Sequence, residues 1–185
     1  MKRLQDTIEE SLLDLDDKIM DRGLIEAWLD ENAACTGLEI NDDLTIDARL
    51  VNIDMTGPIP EYIRFNKVDW IHYYIPMDVE EVWLAVPKTV RKFQIIAPSA
   101  DIINFFDDFE CRIFEVSGRI ETINLPKKFK CEELLCGDSQ ALHINGIEGI
   151  KAHKLELPPK FIKMQLVKTL KLSKDSSIKV SGRSL

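Results

Sequence analysis

The stretch from Thr122 to Gly182 says nearly the same thing twice, and this constrains the fold more than any other feature of the chain. Thr122-Ile-Asn-Leu-Pro-Lys-Lys-Phe129 returns as Leu155-Glu-Leu-Pro-Pro-Lys-Phe161, so that Leu125-Pro126 and Leu157-Pro158 stand 32 residues apart. Val116-Ser-Gly-Arg119 recurs as Val180-Ser-Gly-Arg183 at twice that spacing. Ile59-Pro60 and Val86-Pro87 take the same step earlier, so Pro60, Pro87, Pro126 and Pro158 mark units of 27, 39 and 32 residues. Units of this size predict a stacked, solenoid-type fold in which each unit buries its apolar face only against its neighbours. A proline at each step ends one strand and fixes a corner, because it lacks the amide donor that a central strand needs.

What precedes the repeats is helical and then alternating. Leu4, Ile8, Leu12, Leu15 and Ile19 line one face of an amphipathic helix whose other positions are largely acidic. A second helix is expected from about Leu24 to Glu31, with Asp21 as its N-cap and Leu24, Ile25, Trp28 and Leu29 buried. These two helices read as a cap over the first apolar edge of the stack, with the first helix as a docking segment for a partner groove as the alternative. From Leu38 the pattern becomes strand-like, and Asp42, Asp43 and Asp47 read as turn carboxylates, since they lack the ligand pattern of a calcium loop.

The most aromatic run is Val68 to Ile75. Strict alternation places Val68, Trp70, His72 and Tyr74 on one face and Asp69, Ile71, Tyr73 and Ile75 on the other. Both faces are apolar or aromatic, so the strand is either buried on both sides, the favoured reading, or leaves an aromatic patch open to a ligand. Asp101 to Glu110, with Ile102, Ile103, Phe105, Phe106 and Phe109, is read as one or two helical turns inserted in the longest interval.

Three features together resemble a group of divergent leucine-rich-repeat-like proteins of bacteriophages and prophages. They are the start Met1-Lys-Arg-Leu-Gln-Asp-Thr-Ile-Glu-Glu-Ser-Leu-Leu-Asp14, the joint Leu38-Glu-Ile-Asn-Asp-Asp-Leu-Thr-Ile-Asp47 followed by Val51-Asn-Ile-Asp54, and the run of Pro-x-x-Val or Pro-x-x-Phe units. The repeats match in outline, without the group's Asn ladder. The resemblance implies an α+β, mainly β fold: an irregular leucine-rich-repeat-like solenoid of short strands, with a two-helix cap over residues 1–37 and the repeat domain over 38–185. It implies a mobile-element origin and no reaction.

Composition bounds the function. With 45% apolar and 30% charged residues in 185, the chain suits a globular protein. The N-terminus has no apolar core of signal-peptide length and no run of 18 apolar residues occurs, so a cytoplasmic protein with no membrane partner is expected. Cys35, Cys111, Cys131 and Cys136 are irregularly spaced and read as buried free thiols. His72, His143 and His153 have no metal-ligand spacing, and neither a phosphate-cradling glycine loop nor a G-x-S-x-G nucleophile is present. A non-catalytic protein with no cofactor and no metal is therefore expected.

The net charge of −8 divides into −14 over residues 1–110 and +6 over residues 111–185. Basic residues recur after the proline steps and are expected to gather into a ridge, among them Arg91, Arg119, Lys128 and Lys160. With Trp70, His72, Tyr74 and Trp83 they form the candidate binding set, for an unknown protein partner. The acidic and basic halves also allow a head-to-tail homo-oligomer or a virion-associated structural role. A pI near 5.0 weighs against nucleic acid as the partner of the C-terminal half.

Overall fold

A computed structural model describes residues 21–55, 58–76, 79–136, 143–146, 152–157 and 177–180, the last four by backbone alone. Residues 21–32 are helical. The strands follow as β1 (Ala33–Thr36), β2 (Glu39–Ile40), β3 (Ile46–Asp54), β4 (Phe65–Tyr74), β5 (Val79–Leu84), β6 (Thr89–Phe105), β7 (Glu110–Asn124), β8 (Lys130–Leu135), β9 (His143–Asn145), β10 (Lys154–Leu157) and β11 (Ser177–Val180). The expected first helix, Leu4 to Ile19, lies outside the described residues.

The strands stack in two parallel ladders. Ladder A runs β3, β4, β6, β7, β8, β10, β11, and ladder B runs β5, β6, β7, β9. The long strands β6 and β7 serve both, turning from one ladder to the other where the register shifts between Ala97 and Ala100. Gly118 sits at that corner with φ of 109°, and a Cβ there would collide with the Ala97 carbonyl. Only glycine permits both the conformation and the close approach. The result is a mainly β solenoid of about five turns with one helix among the described residues. β1 and β2 pair antiparallel with β3, which closes ladder A at its N-terminal end.

Ile25 and Leu29, one helical turn apart, are buried in the same core as the strands. Leu24 is half exposed and Asp21 is already helical, so neither holds the role expected from the sequence. Asp43 serves a turn, its Oδ1 accepting from Thr45 Oγ1 at 2.6 Å, but Asp47 lies in β3 and its Oδ1 accepts from Asn66 Nδ2 of β4 at 2.9 Å, so it bridges neighbouring strands rather than serving a turn.

The unit of the stack is not the 32-residue spacing. In register, Val51, Ile71, Phe93, Phe114, Leu134 and Leu155 lie one above another, at intervals of 20 to 22 residues. Leu125 ends the ladder B passage of β7, whereas Leu157 ends a ladder A strand, so the two Leu-Pro copies occupy different places in the coil. Pro60, Pro87 and Pro126 stand at the turns entering β4, β6 and β8, while β7 is entered without one. The 39-residue interval therefore holds two coils. Pro60 and Pro126 accept from Ile63 and Phe129 at 3.0 and 3.1 Å, which makes the same turn twice.

The buried pattern is apolar-x-x-apolar-x-apolar. It recurs as Val68…Ile71-x-Tyr73, Val90…Phe93-x-Ile95, Cys111…Phe114-x-Val116, Cys131…Leu134-x-Cys136 and Ala152…Leu155-x-Leu157. Cys111 and Cys131 are register partners on neighbouring coils, both buried with free thiols. Burial pushes the Cys131 thiol up to about 12 and Cys111 and Cys136 up as well, so these thiols act as small apolar groups.

Asp101–Phe105 belong to β6 rather than to helical turns. Phe105 and Phe109 instead meet Phe93, Phe114 and Phe129 between the ladders, with Phe93 and Phe114 stacked at 5.4 Å and 10°. Tyr73 adds its ring to Phe93 and satisfies its hydroxyl by donating to the Ala85 carbonyl at 2.5 Å.

Candidate functional site

In a parallel stack each outward side chain sits roughly 4.8 Å from its register partners on the next coils. Like charges one above another repel, so a stable outer face must alternate charges or use neutral groups. Ladder A alternates charges. Lys92 Nζ lies 2.7 Å from Glu115, Lys130 Nζ 3.1 Å from Glu110, Arg112 Nε 3.4 Å from Glu132, and Lys154 Nζ 3.7 Å from Glu133. Lys128 pairs at 3.8 Å with Asp108, whose Oδ1 also accepts from the Lys128 backbone N–H at 3.0 Å. Of the expected basic ridge, Lys128 is held by Asp108, while Arg91 is exposed on β6 and Arg119 at the corner after Gly118.

The N-terminal end of the same face is different. Trp70 and Tyr74 are 42% and 44% exposed, and Ile96, the register partner of Tyr74, is 37% exposed. His72 lies between them and stacks on Trp70 with ring centroids 6.4 Å apart. Lys92 reaches over the Trp70 ring at 6.0 Å while holding Glu115. The His72 Nε2 is buried without a hydrogen-bond partner. Desolvation, with the Lys92 charge adding to it, holds this imidazole below its ordinary range although Glu115 opposes the shift, so it is neutral at physiological pH.

The aromatic strand thus leaves an open patch, the alternative to the favoured reading of core packing on both sides. Trp70, His72 and Tyr74 do share a face, but Val68 is buried and Asp69 exposed, the reverse of strict alternation. Ile71 faces inward three residues after Val68, so the period of two breaks there.

Ladder B carries another solution. Asn145 Nδ2 donates to Asn124 Oδ1 at 2.7 Å, Asn124 Nδ2 to Asn104 Oδ1 at 2.8 Å, and Asn104 Nδ2 to Glu81 Oε1 at 2.6 Å. An Asn ladder is therefore present, contrary to the reading of the repeats. Glu81 Oε1 also accepts from Trp83 Nε1 at 3.1 Å. Trp83 and Phe106 are 45% and 49% exposed, their ring centroids 5.5 Å apart.

The predicted binding set is thus divided. Trp70, His72 and Tyr74 come together on ladder A, where Lys92 joins them; it was not in the set. Arg91 is exposed on ladder A beside that patch, in the row of Asp69. Trp83 belongs to ladder B, Arg119 is exposed at the corner after Gly118, and Lys128 is held by Asp108. Lys160 lies outside the described residues. Phe106 and the Asn row were missed; the 20- and 21-residue spacing of Asn104, Asn124 and Asn145 was the available signal. Among the described residues no helix is long and apolar enough to cross a membrane. Compared with known proteins, the chain matches no family model, no curated protein and no solved structure.

Proposed function

We propose that this chain is a non-catalytic protein-interaction module of leucine-rich-repeat type, of mobile-element origin, which binds a partner protein through the Trp70–Tyr74 patch. The repeat-type label draws on the apolar-x-x-apolar-x-apolar unit recurring every 20 to 22 residues, within the range of leucine-rich repeats. The observation that carries the binding reading is the patch itself: two exposed aromatic rings and Ile96 side by side on strands paired along both edges. Large rings on a backbone already fixed supply contact area at little entropic cost. A protein surface suits the patch better than a nucleic acid does, since Lys92, the cation over the Trp70 ring, is already held by Glu115.

The test uses the full chain as bait in bacterial lysate beside a Trp70→Ala, Tyr74→Ala double variant, across several salt concentrations. Both side chains are exposed, so the variant keeps its melting temperature. Proteins held by the wild type and lost from the variant are the expected outcome. Retention of the same proteins by both, or of none at any salt, overturns the reading. Sedimentation velocity on the same pair shows whether the partner is a second copy.

A further inference from the structure

We infer that a groove across the starts of β4, β6, β7 and β8 docks an acidic extended segment of another protein, whose carboxylates are taken by Lys67, Lys88 and Arg91. The backbone register builds this groove. Lys67, Thr89, Glu110 and Lys130 are register partners and form one wall. The buried row from Val68 to Cys131 is the floor. The second wall is the exposed row of Asp69, Arg91, Arg112 and Glu132, where the period of two breaks. The groove encloses ≈ 1070 Å³ and is bounded by residues 66–69, 88–91, 110–112 and 129–132.

Its two halves differ in charge balance. Over β7 and β8 the walls satisfy themselves, with Lys130 Nζ 3.1 Å from Glu110 and Arg112 Nε 3.4 Å from Glu132. Over β4 and β6 they do not. Lys67, Lys88 and Arg91 are exposed around Thr89 and form no ion pair among the described residues. Asp69, the carboxylate of this half, stands in its row between Arg49 and Arg91. Asp47, on the neighbouring β3, already accepts from the Asn66 amide at 2.9 Å and from the Lys67 backbone N–H at 3.0 Å. This half therefore holds an excess of positive charge, and the Thr89 hydroxyl adds a donor among the cations. A carboxylate seated there gains charge-assisted hydrogen bonds and relieves the repulsion between neighbouring coils.

A peptide fits this pattern better than a nucleic acid does. Coils follow one another at roughly 4.8 Å. A backbone with a phosphate at every residue, once seated on the cations of β4 and β6, runs on over β7 and β8 and must compete there with Glu110 and Glu132 for Lys130 and Arg112. A peptide carries carboxylates only where its sequence puts them, and crosses the matched half with neutral side chains. The groove uses none of Trp70, His72 and Tyr74, so it does not depend on that patch.

The probe is a labelled, end-capped heptapeptide with glutamate at its third and fifth positions and alanine or serine elsewhere. It is titrated with the full chain at low salt and followed by fluorescence anisotropy. Extended, it turns both carboxylates to one face. Glutamine in place of both glutamates is expected to weaken binding by at least about tenfold. Arg91→Gln and Lys67→Gln each weaken it several-fold and keep the melting temperature, since both side chains are exposed. Lys128→Gln removes the same charge outside the groove, and Tyr74→Ala removes a ring of the aromatic patch; both leave binding unchanged. No binding, equal binding of the glutamate and glutamine peptides, or an equal loss with Lys128→Gln overturns the proposal. So does tighter binding of a thymidine trinucleotide, which carries the same two charges, if Arg91→Gln weakens it: the groove is then a nucleic-acid site. Self-association of the full chain in sedimentation velocity, abolished by Arg91→Gln, overturns it too, because the occupant is then a second copy.

Discussion

On ladder A the outward rows set lysine or arginine against glutamate from coil to coil, whereas on ladder B the corresponding row is built of asparagine. Both faces answer the same problem, that register places outward groups of neighbouring coils within contact. Ion pairs answer it loosely: the Arg112–Glu132 and Lys130–Glu110 pairs are more than half exposed, and exposed pairs contribute little. The amide row answers it tightly, because each side chain is donor to one neighbour and acceptor for the next, and aligned amides polarise one another. The difference follows burial. Asn104 is only 7% exposed, beneath Trp83, where a charge would need a partner that the uniform row cannot supply. Ladder A should therefore tolerate substitution on its outer rows and ladder B should not.

Four changes would break or sharpen this contrast. The largest effect is expected at the corner joining the two ladders. Gly118→Ala forces a side chain into a left-handed conformation against the Ala97 carbonyl and should lower unfolding stability by roughly 3 kcal/mol, read from denaturant melts. Asn104→Asp comes next, at about 2 kcal/mol at neutral pH, since it removes a donor and sets two carboxylates face to face. Its deficit should shrink as pH falls and one of the two takes up a proton; a deficit independent of pH would mean that the Asn row contributes only shape. On ladder A, Glu115→Gln should cost no more than about 1 kcal/mol, because its pair with Lys92 is only partly buried. A cost equal to that of Asn104→Asp would erase the contrast.

The smallest effect concerns His72. Its folded pKa is depressed below the unfolded value, so the unfolded chain binds the extra proton in that window and stability falls as pH drops from neutral through the folded pKa. Replacement by Phe should flatten this slope in urea midpoints measured between about pH 7.5 and 5.5. If the slope is unchanged, other groups set it.

The strand-like stretch after Leu38 was legible in advance, because alternation and the turns that punctuate it are local properties. So was the turn role of Asp43. The coil length was not. Prolines punctuate turns, turns differ in length, and one entry lacks a proline, so spacing measured between prolines mixed one coil with two. The inward row from Val51 to Leu155 keeps its register because backbone pairing enforces it, and that row carries the true period. Val116 and Val180 do lie in one such row, but across β7, β8, β10 and β11, hence three coils rather than two. At Asp101–Glu110 the clustered phenylalanines read as helical turns, yet Phe105 ends β6 and is buried with Phe109, while Phe106 is exposed just beyond the strand.

By itself the sequence determined a β-rich, repeating, free-thiol protein with its negative charge concentrated toward the N-terminus, since composition and short-range alternation depend on the chain alone. Only the tertiary structure decided which residues stand above one another. That choice joined Asn104, Asn124 and Asn145 into a row, paired Lys92, Lys128 and Lys130 with carboxylates, and left Trp70 and Tyr74 in the open. These are properties of contacts about twenty residues apart in sequence. They are fixed by hydrogen bonds between coils and by the lengths of the turns that connect them.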